Sequence, residues 1–595
     1  MFKTRNRFSS LGHWSLFGTW YLRFGAYQRG VTLIDTVVGS ALMLVIFMGI
    51  AAVFQLSIDV VTNNRARAGA IALANERMEY LRSLSYTQIG VIGGIPAGNV
   101  PQEESVTLSD IGYTRRTMVL YSDDPQDGLG GADQNGIVAD YKTIRVEVLW
   151  TSRQGERSVI LVGRVSPLGV ESAVPGGTLT LDVVNEGATP VADAQVDIIN
   201  TGTVPAINIR TYTNSSGIVS FIGAPAASNY QITVSRPGYS TTQTYPVTPE
   251  NPNPDPRHLT VVNGQTTSQS FTIDLVSTKT VRTFKQIVPV TWDDPFANES
   301  LVATSTDVEI LGGEVKLAGS SPYPSSGFLQ SVSLSSPLLA GWNSLSWIDT
   351  TPAQTDVLYR IYDGSGAIVP DSVLSGNNSG FSVSPLDLSA ISTSTHPQLR
   401  IGATLSTNDP DVTPSIQSWE LEYDYGPEPL PNLSFQMRGN KTIGNNPTVN
   451  KYDQTHGSGA SAMLTLSNIE ADTYTLSVAT STGYYIAEAC NPQPEALLPN
   501  TSQTTSLYVL PDTDHSLLVD VRGSAGALLE GASVNLVKTG YDVTLSTSSC
   551  GQAFFEDLSS ATYSISVSKA GYQTYSNTDV GVSGLSRLSV SLNSL

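Results

Sequence analysis

Asp35 stands at the head of an uncharged stretch running from Thr36 to Ile58. These 23 residues, at about 1.5 Å of rise each, make a helix of roughly 35 Å, enough to cross the hydrocarbon core of a bilayer. A carboxylate at the edge of such a span is costly to ionise without a cation beside it, so its chemistry is that of a low-dielectric ion pair. Asp123, Asp124 and Asp127, set around Pro125 and Gly128, offer clustered carboxylate oxygens, the ligands that calcium takes. The EF-hand template fails there, with Pro125 at its third position and Gln134 at its twelfth, and a solvated acidic turn fits the same residues. Cys490 and Cys550 offer either a disulfide or two free thiols. In the chain-entropy account, closing a loop of about 60 residues contributes roughly 4 kcal/mol. Trp342 and Trp347 offer ring faces for stacking on sugars if exposed, and core packing if buried.

Catalytic groupings are missing. The five histidines, His13, His258, His396, His456 and His515, show no zinc-ligand spacing. No H-E-x-x-H or G-x-S-x-G occurs, and no glycine-rich phosphate loop follows a strand. The expectation is a protein that is not an enzyme and has no cofactor, calcium aside. The formal charge is −20, with charged residues at only 14%, below the quarter or so usual for soluble domains. Such a surface repels nucleic acid and anionic lipid, so no nucleic-acid partner is expected.

These residues need elements to place them. Lys3, Arg5, Arg7, Arg23 and Arg29 precede the apolar span, and no acid does. The positive-inside rule therefore keeps that end cytoplasmic and puts everything after Ile58 outside. Glycine comes before the apolar run, unlike the small-residue site that follows a secretory signal.

The segment Arg29-Gly30-Val31-Thr32-Leu33-Ile34-Asp35 resembles the processing site of type IV pilins and type II secretion pseudopilins. The resemblance implies cleavage by a prepilin peptidase between Gly30 and Val31, methylation of the new N-terminus, and Asp35 as fifth mature residue. It also implies that Asp35 pairs with the N-terminal ammonium of a neighbouring subunit. The family usually has Glu at that position, and Phe or Met at the first, where this chain has Asp35 and Val31. Loss of residues 1–30 would leave a charge of −25.

Ile58, Val61, Arg65, Ala68, Ile71, Asn75, Met78, Leu81 and Leu84 recur at three- and four-residue spacing. The transmembrane and stalk helix is thus expected over 31–86, about 84 Å long. A small α+β pilin-like head follows over 87–170. Its strands are legible at Tyr113–Tyr121, Thr143–Trp150 and Arg157–Val165.

Beyond residue 166 the chain is a run of short alternating segments broken by Gly, Pro, Asn and Asp, which predicts all-β sandwich modules. An internal repeat sets their limits. Ala194–Ile198, Thr213, Gly217, Phe221, Tyr230–Ser235 and Gly238-Tyr239 recur as Ala532–Leu536, Thr547, Gly551, Phe555, Tyr563–Ser568 and Gly571-Tyr572. A degenerate copy shows Tyr474–Val478 and Gly483-Tyr484. The copies resemble the carboxypeptidase regulatory-like β-sandwich, an accessory module without peptidase activity. They are expected at 176–278, 430–511 (degenerate) and 514–595. The stretch 279–427, with four of the seven tryptophans, looks like a jelly-roll or lectin-like sandwich.

The fold class expected is therefore multidomain: a pilin-type helix, a small head, then β-sandwich modules. The function expected is a minor pilin-like subunit that displays an adhesive arm toward a surface glycan or protein ligand. It would be embedded in the cytoplasmic (inner) membrane by a single pass, C-terminus outside, then carried to the cell surface or pilus beside other pilin or pseudopilin subunits. A type II secretion pseudopilus component that recruits exported substrates, or a membrane-tethered surface protein that never polymerises, are the alternatives.

Overall fold

The computed structural model describes residues 33–126, 128, 136–153, 155–168 and 173–595. One long apolar helix is followed by a succession of β-sheets in several domains. Two compact units emerge: the helix with the first four-stranded sheet, and everything from residue 171 onward together with 93–97 and 121–140.

In the first unit, helix α1 (Leu33–Ser83) has 51 residues, about 76 Å of rise. It stops a turn earlier than expected, because Ser85 opens a short 3-10 turn over Tyr86–Gln88. Four strands, β1 (Glu103–Leu108), β2 (Ile111–Ser122), β3 (Tyr141–Ser152) and β4 (Gly155–Val165), form a meander in that order. β1 lacks a strong alternating pattern and was not legible in the sequence. Alternation in β3 buries Ile144, Val146, Val148 and Trp150, as a strand with one covered face should.

The second unit contains three sandwiches of one design. In the first of them, Gly177–Val184 runs parallel to the closing strand Thr266–Thr272 and antiparallel to Ile218–Ala224. In the last, Ser516–Gly523 runs parallel to Leu585–Leu592 and antiparallel to Gln552–Phe555. Tyr230, Tyr474 and Tyr563 are buried, and each hydroxyl donates to a carbonyl just upstream: Pro225 O (2.6 Å), Glu470 O (2.9 Å) and Ser559 O (3.2 Å). Thr213 and Thr547 each receive a backbone N–H and donate to a carbonyl, as does Ser458 in the middle copy. A common hydrogen-bond plan thus survives where the sequence is degenerate.

The middle copy corrects the expected boundaries. Its opening strand is Ser277–Lys285, which pairs in parallel with Ser502–Pro511 and antiparallel with Met463–Ile469. That strand falls inside the stretch assigned to a self-contained 279–427 module. The tryptophan-rich sandwich, whose strands run from Val288 to Tyr425, is instead inserted within the middle copy, between its first strand and Ser434–Gly439. The inward face of Ser277–Lys285 carries Ser277, Lys279, Val281 and Thr283. Its polarity hides it from hydrophobic patterning, and its pairing is too distant in sequence for any local signal.

Lys279 is fully buried, and its Nζ lies 2.6 Å from Glu495, 2.6 Å from Thr505 Oγ1 and 2.7 Å from Gln503 Oε1. Thr505 Oγ1 donates in turn to Glu495 Oε2 at 2.7 Å. Burial pushes the Lys279 ammonium pKa down, and the Glu495 carboxylate only partly restores it. The network ties the strand before the insertion to strands after it.

Candidate functional site

The stem divides into two halves of different character. From Leu33 to Val61 its large apolar side chains are exposed; Leu42 is 64% and Phe47 65% open to solvent. Among the described residues this is the one helix long and apolar enough to cross a membrane. Leaving such side chains in water forgoes roughly 1.5–3 kcal/mol each, so this half calls for a bilayer or sibling stems around it.

The upper half is covered by the head. Ala66, Ala70, Leu73, Ala74, Met78 and Leu81 are buried in one cluster with Val119, Ile144, Val146, Val148 and Trp150. Three alanines at four-residue spacing keep this face flat and let the sheet approach closely. Gly69 shows how closely: a Cβ there would meet Tyr113 Oη at 2.4 Å. Tyr113 Oη donates to Ala66 O at 3.0 Å, and Trp150 Nε1 donates to Asn63 Oδ1 at 3.4 Å.

Ionic contacts lock the same junction. Arg115 Nε donates to Glu104 Oε1 at 2.7 Å, and its Nη1 reaches Leu73 O at 3.2 Å and Glu76 at 3.4 Å. Arg77 pairs with the same Glu104 oxygen. Burial opposes ionisation of Glu104, but the Arg115 hydrogen bond and the charges of Arg77 and Arg115 outweigh it and hold its carboxyl below the ordinary range. Lys142 Nζ donates to Tyr86 O and Ile89 O, both at 2.7 Å, and so fastens the turn that ends the stem. Burial lowers its pKa to about 8. Neither Glu104 nor Lys142 was picked out in the sequence, where each is one charge among many on strands of unknown partner.

The residues singled out in the sequence fare differently. Gly30, Val31 and Asp127 lie outside the described residues, as does the side chain of Asp35, whose backbone is in α1. Asp123 and Asp124 follow β2. Asp124 Oδ1 accepts the Gln126 N–H at 3.1 Å, and the Asp140 carboxylate accepts the Asp124 N–H, so carboxylates here organise the turn itself.

Cys490 and Cys550 are joined in a disulfide with Cα atoms 4.8 Å apart. It links the middle copy to the last. Around it, Ser548 Oγ donates to Glu488 at 2.7 Å, Gln552 Oε1 accepts the Ala489 N–H at 2.7 Å, and Tyr485 lies 4.9 Å from Phe554. Burial raises the Glu488 pKa, although the Ser548 hydrogen bond opposes the shift. Among the described residues, Glu488, Cys490 and Cys550 form the one group with three convergent metal-ligating side chains, and its two sulfurs are bonded to each other.

Sugar stacking by Trp342 and Trp347 is overturned. They are 3% and 7% exposed and belong to the core of the inserted sandwich. Trp342 Nε1 donates to His396 O at 2.9 Å, and Trp347 stacks on Tyr359 with centroids 4.0 Å apart. Strict alternation would place residues five apart on opposite faces. A bulge between Trp342 and Ser344 inserts one residue and returns both rings to the same interior.

Neither a known protein family nor a curated protein matches the chain. Solved structures with similarity include the TIE protein of Bacillus anthracis, 10% identical over 83% of this chain and 73% of that one, with a TM-score of 0.15. BcpA, the major pilin subunit of Bacillus cereus, is 11% identical over 71% of this chain and all of its own length (100%), TM-score 0.14. GBS52, the minor pilin of Streptococcus agalactiae, is 12% identical over 28% of this chain and 84% of that one, TM-score 0.12. At these scores the likeness carries no weight for this chain.

Proposed function

We propose that this chain is a membrane-inserted minor subunit of a type IV pilus-like filament, processed after Gly30 and carrying a β-module arm for adhesion. The observation that carries the reading is the divided stem: an uncovered apolar half continuous with a half clamped into a small head. Such a helix is stable in a bilayer before assembly and among sibling stems afterwards, with one lateral surface serving both. The sequence around Gly30 and Asp35 adds the processing site and a carboxylate for the incoming ammonium. The bulk of the sandwiches, more than 400 residues from 173 to 595, suits a subunit present in few copies at a filament end rather than along a packed shaft. Binding through the arm, not catalysis, is the role assigned to the sandwiches.

N-terminal sequencing of the mature protein tests this. The expected result is a start at N-methylated Val31, with Asp35→Ala lowering recovery in sheared filaments. A mature chain beginning at Met1, with Asp35→Ala incorporated normally, refutes it. Immunogold labelling evenly along the shaft refutes the placement at an end.

A further inference from the structure

The uncharged stretch ends at Ile58, and the next residue is Asp59. At that level the head overhangs the stem. The tip of the β1–β2 hairpin, Ser109-Asp110, turns through two left-handed residues with φ of 53° and 64°. It and the end of β3, Trp150 to Arg153, line a cavity of about 510 Å³ with Ile58, Asp59 and Asn63 on the stem. The cavity is mixed in charge. Asp59 and Asp110 supply two carboxylates, and Arg153 supplies a guanidinium 3.4 Å from Asp59. Arg153 is largely solvent-facing, whereas Asp59 is mostly covered and also accepts from Gln55 Nε2 at 3.2 Å. Trp150 forms an apolar wall whose Nε1 is already engaged by Asn63.

Two carboxylates against one guanidinium leave unmatched negative charge, which wants an ammonium. The exposed guanidinium beside them suits a phosphate oxygen. A lone phosphate would meet two repelling carboxylates. A metal ion lacks a convergent third ligand, since no group of three ligating side chains forms here. The ligand that matches has a primary ammonium and a phosphodiester a short linker apart, and the site lies where a bilayer presents its headgroups. We infer that the cavity beneath the head seats the headgroup of an ethanolamine phospholipid, holding the unassembled subunit at a set depth. A choline headgroup lacks N–H donors for Asp59 and Asp110, and a glycerol headgroup lacks the cation. The inference rests on the membrane reading given above.

The test uses the full chain in phosphatidylcholine vesicles doped with phosphatidylethanolamine or phosphatidylglycerol. Mild detergent extraction and native mass spectrometry then count retained lipids. Retention of phosphatidylethanolamine is expected to exceed that of the other two by roughly tenfold, about 1.4 kcal/mol. Asp59→Asn with Asp110→Asn should abolish the preference, and Arg153→Gln should weaken it, while Asp542→Asn in the last sandwich leaves it unchanged. Equal retention of all three lipids, or variants that behave like the parent, overturns the inference. Flotation with every vesicle type alongside equal retention would sink this site and leave the membrane reading standing; failure to float with any vesicle sinks both. Soluble phosphoethanolamine that binds as tightly as the lipid overturns the assignment to a bilayer source.

Discussion

Removing one partner of the buried Lys279–Glu495 pair should open the interrupted sandwich, and removing both should largely close it again. Lys279→Met leaves the Glu495 carboxylate in the core with Thr505 as its remaining hydrogen-bond partner; Glu495→Leu leaves an ammonium held by Gln503 and Thr505 alone. Stranding a buried charge in this way costs about 3–5 kcal/mol, whereas replacing a whole buried pair by apolar groups is often close to neutral. In the double variant Thr505 keeps the Asn491 Nδ2 contact at 3.1 Å but loses its other two, a deficit of roughly 1–3 kcal/mol. Amide hydrogen exchange read on strands Ser277–Lys285 and Ser502–Pro511 is the assay. Each single variant should exchange there about a hundred to a few thousand times faster, and the double variant about ten times faster. Silent single variants, or a double variant as loose as the two effects summed, would refute the argument. Loosening confined to the inserted sandwich would refute the assignment of Ser277–Lys285 to the middle copy.

Gly69→Leu forces its side chain into Tyr113 and should destabilise the head by about 1–3 kcal/mol. Tyr113→Phe, losing only the bond to Ala66 O, should cost about 1 kcal/mol; limited proteolysis of the head distinguishes the two. Glu104 has a lowered pKa in the folded state. Its stabilising contribution is therefore full above the ordinary glutamate pKa and lost as pH falls through the lowered one. Acid titration of exchange at β1 and β2 should show that loss, and Glu104→Gln should remove it. Reduction of the Cys490–Cys550 bond, which spans 60 residues, should lower the unfolding temperature of the last sandwich, by at most about 4 kcal/mol in the entropic account. An unchanged temperature in reductant would contradict it.

Periodicity alone places the stem, three of the four strands of the head, and the two outer sandwiches, because each rests on contacts between residues close in the chain. Tyr230 and Tyr563 sit in copies with matching turns and glycines, so a shared local design is visible from their spacing. The middle copy is where such reading stops. Lys279 occupies an inward position on a strand whose partners lie more than 180 residues away, and neither its charge nor its neighbours announce that pairing.

Side-chain direction shows the same division. The tryptophan content of 279–427 marks a dense β core, but a single bulged residue settles whether Trp342 and Trp347 face sugar or each other's neighbours. Likewise, Glu104, Arg77 and Arg115 become one junction only when β1 and β2 are laid against α1. Patterns of polarity carry information about which face a residue shows to its own element. Which distant face it then meets is set by strand pairing and packing across the whole chain, where loop length leaves almost no trace in local composition.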